Sequence, residues 1–309
     1  MRSPAEFAEQ AIKSMREKLP AGKAVVACSG GVDSTVCAVL AHQAFGDRAH
    51  AVFLDTGFMR AEEAISVKKA LGNLGIALEV FPLAPRFFQA LAEITDPEEK
   101  RCRFRETFYA VLAEILAEKG AQALVQGTIA ADVAETRAAV KTHHNVLDLE
   151  AQVWPKELVV FEPLRTLLKP EVRELARYLE LPEEFVQRQP FPGPGLAVRV
   201  VGEVTPERVE LLRQATRIVE EETADLPAFQ AFPILLAEKA TGVRAGTRHY
   251  GEVLVLRVIS SVDAVSAEPL ALPWERLQGL GMRLLRELPA LSRVLYDLTP
   301  KPPATIEWE

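Results

Sequence analysis

Apolar and polar positions alternate along the first half of the chain in a repeating order of short apolar runs and longer helical stretches. Residues 4–19 place Phe7, Ile12 and Met15 at helical spacing, and a turn follows at 20–22. Residues 23–28 then form, after Lys23, an unbroken apolar run. An uninterrupted run of this length predicts a strand covered on both faces rather than one with a wet side. The pattern repeats with a strand at 50–54, a helix at 61–74, a strand at 77–81, a helix at 98–119 and a strand at 123–126. Such alternation predicts parallel βαβ units and an α/β fold, a parallel sheet with helices on both faces. Ligands in such sheets sit beyond the carboxyl ends of the strands. Three polar clusters fall there: 29–34, 55–57 and 126–128.

After a helix expected at 171–179, the pattern breaks at Gln189-Pro-Phe-Pro-Gly-Pro-Gly195, where the prolines exclude both helix interior and central strand. Beyond it, strands are expected at 196–201, 232–238 and 252–260, helices at 206–222 and 273–288, and a strand-like end from 292 with a Pro-rich interruption. This predicts a smaller α+β domain. The expected domains are therefore 1–190 and 191–309.

With 309 residues, 49% of them hydrophobic and 26% charged, the chain has the composition of a folded globular protein large enough for two domains. A net charge of −7 disfavours a protein that grips nucleic acid through a broad basic face. No apolar run reaches membrane-spanning length and no export signal is visible. Three cysteines, Cys28, Cys37 and Cys102, show no zinc-ligand spacing and read as reduced thiols in a cytoplasmic protein.

The chemistry centres on Ser29-Gly-Gly-Val-Asp-Ser34, between a buried strand and a helix. Backbone N–H groups and a helix N-terminus converge there on an expected anion, and two glycines permit close approach. The loop matches neither the Walker sequence nor the dinucleotide fingerprint. It instead resembles the pyrophosphate-binding loop of the ATP pyrophosphatase (PP-loop) superfamily.

Several further segments together resemble the ATP pyrophosphatase subunit of the GMP synthetase family, nearly end to end. They are Gln126-Gly-Thr, Lys141-Thr-His-His-Asn145, Glu162-Pro-Leu-Arg165, Pro190-Phe-Pro-Gly-Pro-Gly-Leu196 with Val198-Arg-Val, and Lys301-Pro-Pro-Ala-Thr-Ile-Glu-Trp-Glu309. The resemblance implies an adenine nucleotide alpha hydrolase-like domain followed by a dimerisation domain. It implies ATP contacts at Ser29, Gly30, Gly31, Val32, Asp33, Ser34 and Thr35, with Asp55, Gln126, Gly127 and Thr128. Asp33 would also meet Mg²⁺, and Lys141, from a substrate-covering lid, would stabilise departing pyrophosphate. Xanthosine monophosphate (XMP) would be bound by Arg199, Gln230, Arg293, Lys301, Ile306 and Glu307.

The implied reaction is ATP-dependent amination of XMP to GMP through an O-adenylyl intermediate, by a homodimer. None of the cysteines resembles a glutaminase nucleophile and the chain starts close to the ATP loop, so ammonia is expected free or from a separate glutaminase subunit. Three departures stand against the family pattern: a shorter stretch between Glu135 and Lys141, Arg105 in place of glycine, and Gly242-Val-Arg-Ala-Gly-Thr-Arg248 without its usual aspartate. A divergent relative that adenylylates another nucleotide, or a non-catalytic nucleotide-binding protein, is the competing reading.

Overall fold

The computed structural model describes residues 3–130, 132, 157–262 and 264–309. In chain order the elements are α1 (Pro4–Lys18), β1 (Ala24–Ala27), α2 (Val32–Phe45), β2 (Ala49–Asp55), α3 (Glu63–Asn73), β3 (Leu78–Pro82), α4 (Ala84–Leu91), α5 (Pro97–Lys119), β4 (Ala123–Val125) and β5 (Val159–Phe161). Then come α6 (Lys169–Tyr178), α7 (Glu183–Val186), α8 (Pro206–Thr223), β6 (Gln230–Arg244), β7 (Thr247–Ser260), β8 (Glu268–Pro269), α9 (Trp274–Glu287) and β9 (Leu291–Tyr296). Two compact units form. One comprises Met1–Asp55, Glu62–Leu83 and Glu106–Arg188, the other Thr56–Ala61, Ala84–Arg105 and Gln189–Glu309.

The first unit holds a parallel sheet in the order β3-β2-β1-β4-β5. β1 is central, paired to β2 through Ala24↔Ala49 and to β4 through Ala24↔Ala123. Its Ala24, Val25 and Val26 are fully buried, which is why the sequence there shows a run instead of an alternation. From β1 the chain moves outward to β2 and β3, then returns to the far side of β1 as β4. Right-handed crossovers accordingly place α2 and α3 on one face, where they touch. The reversal leaves a crevice at the carboxyl ends of β1 and β4, the place where ligands bind in open α/β sheets. α1 is fixed at its start by a capping box, Ser3 accepting from the Glu6 N–H and Glu6 accepting from the Ser3 N–H.

In the second unit, β6 and β7 form a long antiparallel hairpin with β8 and β9 added along β7. The pairing Arg244↔Thr247 leaves Ala245 and Gly246 as the turn, at φ 47° and 79°, the signature of a two-residue hairpin turn with both central residues left-handed. Phe232, Ile234 and Val255 form a buried cluster against which Val201, Leu236 and Ile306 pack.

One expectation is corrected here. Residues 196–201, expected as a strand, instead begin within a 3-10 helix, Gly195–Arg199, followed by a single bridge at Val200↔Leu235. The cause is Phe58, whose carbonyl accepts the Leu196 N–H at 2.7 Å and removes it from any ladder. Gly195 makes this approach possible at φ +63°, since a Cβ there would lie 2.2 Å from the Phe58 oxygen.

Candidate functional site

The loop after β1 is built by its own side chains. Gly31 caps α2 without any side-chain cap bond, which leaves the N–H groups of the first turn for an external anion. Ser34 Oγ accepts from the Ser29 N–H at 3.1 Å and donates to the Gly31 carbonyl at 3.1 Å, with Ser29 Oγ 3.2 Å away. Thr35, fully buried, donates its hydroxyl to the same carbonyl at 2.9 Å. Ser34 and Thr35 therefore serve the shape of the loop, while Ser29 is exposed and Gly31 half-buried.

The cluster after β4 touches this loop directly. A Cβ on Gly127 would stand 2.9 Å from the Ser34 nitrogen and 3.0 Å from the Asp33 carbonyl carbon, so the backbone of β4's end abuts the first turn of α2. Gln126 is held by its N–H to the Phe161 carbonyl, 2.9 Å, and by Cys37 Sγ donating to its own carbonyl, 3.4 Å. Thr128 follows, half-buried. Asp55 ends β2, its carbonyl accepting from the Leu83 N–H at 2.9 Å.

Asp33 is the charged centre. Its Oδ2 accepts from Lys169 Nζ at 2.7 Å, whereas its Oδ1 is buried and has no hydrogen-bond partner. A buried carboxylate oxygen left without a partner costs free energy unless a ligand completes it. Behind the loop, buried Glu63 fills the space that a Gly30 side chain would need, the ideal Cβ lying 2.1 Å from Glu63 Oε1 with φ at +87°. Arg188 bonds that carboxylate and also the Gly30 carbonyl, the latter at 3.0 Å. Lys169, Glu63 and Arg188 were not marked by the sequence. They lie far along the chain from the loop, and no spacing rule links a helix-opening lysine to it.

Both thiols beside the loop are buried, which works against the thiolate form. Burial pushes Cys28 up to about 12, and burial together with the Asp33 charge pushes Cys37 up as well, so both are protonated thiols at neutral pH. Lys141 lies outside the described residues.

In the second unit, three of the residues expected to bind substrate come together. Arg199 donates from Nε and Nη2 to the two oxygens of Glu307 at 2.9 and 2.8 Å, and Gln230 Nε2 donates to Glu307 Oε1 at 3.3 Å and to the Pro190 carbonyl at 2.9 Å. The Arg199 guanidinium lies over Phe232 at 4.0 Å and Phe191 at 4.9 Å from the ring centroids. Ile306 packs on the Phe232 cluster. Lys301 donates to the Ala264 carbonyl at 2.8 Å, and Arg293 is exposed on β9. Among the described residues no hydrogen bond joins these last two to the Arg199–Gln230–Glu307 group.

A carboxylate at the end of this segment is also held. Glu309 is buried against Lys100 Nζ, which also donates to the Val200 carbonyl at 2.7 Å. The Gly202 N–H donates to Glu309 Oε1 at 3.1 Å. Burial lowers the pKa of Lys100 while the Glu309 contact opposes the shift. Among the described residues no helix is long and apolar enough to cross a membrane, and no three His, Cys, Asp or Glu side chains gather to hold a metal.

Comparison with known proteins gives two family matches: NAD synthase over residues 5–129 and GMP synthase C terminal domain over residues 217–308. The chain is 48% identical over 304 residues to a GMP synthase (glutamine-hydrolyzing) subunit of Archaeoglobus fulgidus, covering 98% of this chain and 99% of that protein. It is 49% identical to the same subunit of Methanopyrus kandleri, covering 100% of both, and 50% identical to that of Thermococcus kodakarensis, covering 98% of this chain and 99% of that protein. A solved structure, NMN synthetase from Francisella tularensis, aligns over 68% of this chain and 85% of its own at TM-score 0.49 and 18% identity.

Proposed function

Since the chain belongs to the family of these GMP synthase subunits, we propose that it catalyses ATP-dependent amination of XMP. ATP, XMP and ammonia yield GMP, AMP and pyrophosphate. The 2-oxygen of XMP attacks the α phosphorus of ATP and pyrophosphate leaves. Ammonia then attacks C2 of the O-adenylyl intermediate and AMP departs with that oxygen. No protein nucleophile enters, and burial disfavours a thiolate at Cys28 and Cys37. Catalysis rests on positioning and fixed charge.

The observation that carries this reading is the uncapped N-terminus of α2 beside an Asp33 carboxylate oxygen that has no partner. The first is a place for phosphate and the second for its counter-cation. Mg²⁺ takes one or two carboxylates and completes its shell with phosphate oxygens and water, so a lone aspartate suffices. Asp33 would hold it, and the ion would offset the negative charge that builds on the phosphate oxygens as pyrophosphate leaves. Lys141 would add a further positive charge at the pyrophosphate. The ATP pyrophosphatase domain is read as residues 1–190 and the XMP-binding and dimerisation domain as 191–309, except that 56–61 and 84–105 belong to the second compact unit.

For XMP, the Arg199–Gln230–Glu307 group supports purine recognition. Glu307 is an acceptor for purine N–H groups, Gln230 offers an amide to the base edge, Ile306 an apolar contact, and Arg293 and Lys301 charge for the phosphate. Ammonia would come free or from a separately encoded glutaminase subunit, and a homodimer would form through the second domain.

The test is turnover of the purified protein with ATP, XMP, ammonium and Mg²⁺. AMP, pyrophosphate and GMP are expected in equal amounts, with no pyrophosphate when XMP is left out. Addition of a family glutaminase subunit is expected to allow glutamine to replace ammonium. Pyrophosphate release at the same rate without XMP would sink the proposal.

A further inference from the structure

Arg257 lies in β7 with no exposed surface, a cation placed where a strand would ordinarily bury an aliphatic side chain. Burying a guanidinium is costly unless its donors are met. Here they are met by one short stretch of chain. Nε donates to the Ile306 carbonyl at 2.9 Å, Nη1 to the Thr299 carbonyl at 3.0 Å and Nη2 to the Thr305 carbonyl at 2.8 Å. Nη1 also bonds Asp297, whose carboxylate accepts in turn from the Thr299 N–H at 2.9 Å and from Trp308 Nε1 at 3.0 Å. A planar fork can satisfy several acceptors at once, which no other side chain does in a fixed geometry.

The carbonyls it grips are those of Thr305 and Ile306, immediately before Glu307. Glu307 is thereby held from two sides. Its backbone follows a stretch pinned by Arg257, and its carboxylate is aimed by Arg199 and Gln230. Ile306, whose carbonyl Arg257 takes, rests its side chain on Phe232, Ile234 and Val255. Without the clamp, the segment would have to be ordered each time a ligand bound, and that ordering cost would be subtracted from affinity.

We propose that Arg257 is a positioning residue for XMP: it touches no substrate, and it preorganises the 305–307 backbone so that Ile306 and Glu307 meet the purine in place. The inference rests on the assignment of this segment to XMP made above. A purely structural arginine would lower stability or affect both substrates alike. A positioning arginine acts on one substrate only.

Arg257→Lys keeps the charge for Asp297 and loses the fork. At saturating ATP and ammonium, its KM for XMP is expected to rise about tenfold or more through the weakened carbonyl bonds. KM for ATP and kcat at saturating XMP should stay within about twofold, since uniform binding alone is lost. Asp297→Asn, which leaves the three carbonyl bonds but removes the ion pair and one of the two acceptor oxygens that serve Thr299 and Trp308, is expected to raise the XMP KM about threefold.

If Arg257→Lys does not fold, Asp297→Asn decides alone. A selective rise in its XMP KM upholds the proposal, and an unchanged value overturns it. The proposal is equally overturned if folded Arg257→Lys keeps the parent KM for XMP, or loses ATP and XMP affinity in parallel. A parent enzyme that does not turn over XMP at all refutes the function instead, and the two failures are thereby told apart.

Discussion

Asp33→Asn is expected to lower kcat for XMP-dependent pyrophosphate release by about 10²- to 10³-fold, the range seen when one preorganised electrostatic partner is removed from a reacting centre. The substitution preserves size and shape, so the loop should keep its form. What it removes is the negative charge beside the uncapped first turn of α2, where Oδ1 has no partner and Oδ2 takes the Lys169 ammonium. The ion pair is partly exposed, with side chains 31% and 23% accessible, and is worth no more than about 1 kcal/mol of stability. Melting temperature should therefore hardly move while turnover collapses. The Mg²⁺ concentration for half-maximal rate should rise, because the amide is a poor ligand for a hard cation. Parent-like turnover and Mg²⁺ dependence in this variant would remove Asp33 from the mechanism.

Gly127→Ala carries the second large effect, for a steric reason. The added carbon would stand 2.9 Å from the Ser34 nitrogen and 3.2 Å from its Cα, atoms of the backbone that cannot rotate aside. Either the end of β4 or the first turn of α2 must shift. Overpacking of this kind costs about 1–3 kcal/mol. A displacement near 1 Å at the phosphate loop would lower kcat/KM for ATP by about 10²-fold. Gly72→Ala is the matching control. It lies in α3 with nothing within 4 Å of its ideal Cβ, and alanine there should be neutral or add up to about 1 kcal/mol of stability. Circular dichroism melts and ATP titrations on the pair separate a local clash from a general intolerance of alanine. Equal ATP kinetics in the two variants would mean that the contact between 127 and α2 carries no function.

The parallel sheet was legible because β1, β2 and β4 are compact apolar runs closing in polar residues, with helical stretches after β1 and β2. The loop at 29–34 was legible for a related reason: glycines, hydroxyls and an acid cannot continue a buried strand, and their position beyond it leaves a ligand as their use. β5 escaped notice because Val159–Phe161 is too short to carry a period. The segment 196–201 was misread because its apolar pattern suits a strand, while the contact that bends it, the Phe58 carbonyl, comes from a residue distant in sequence.

The same distance hid much of the site. Lys169 meets Asp33 across 136 residues, Arg188 meets Gly30 across 158, and Lys100 meets Glu309 across 209. Local periodicity carries no information about such pairs. Arg257 left a faint trace, as a basic residue inside the apolar run 253–259 of the strand expected at Glu252 to Ser260. Its meaning became readable only with the carbonyls of Thr299, Thr305 and Ile306 around it. The grouping of Arg199, Gln230 and Glu307 is a different case, since family resemblance named those residues and the fold supplied their hydrogen bonds.

The central claim is that XMP itself is adenylylated at its 2-oxygen. The direct measurement is turnover of XMP labelled with oxygen-18 at that position, with ATP, ammonium and Mg²⁺, followed by mass spectrometry of the products. One labelled oxygen is expected in the phosphate of AMP, with GMP and pyrophosphate unlabelled. Label recovered in pyrophosphate, or AMP formed without label, would contradict the account.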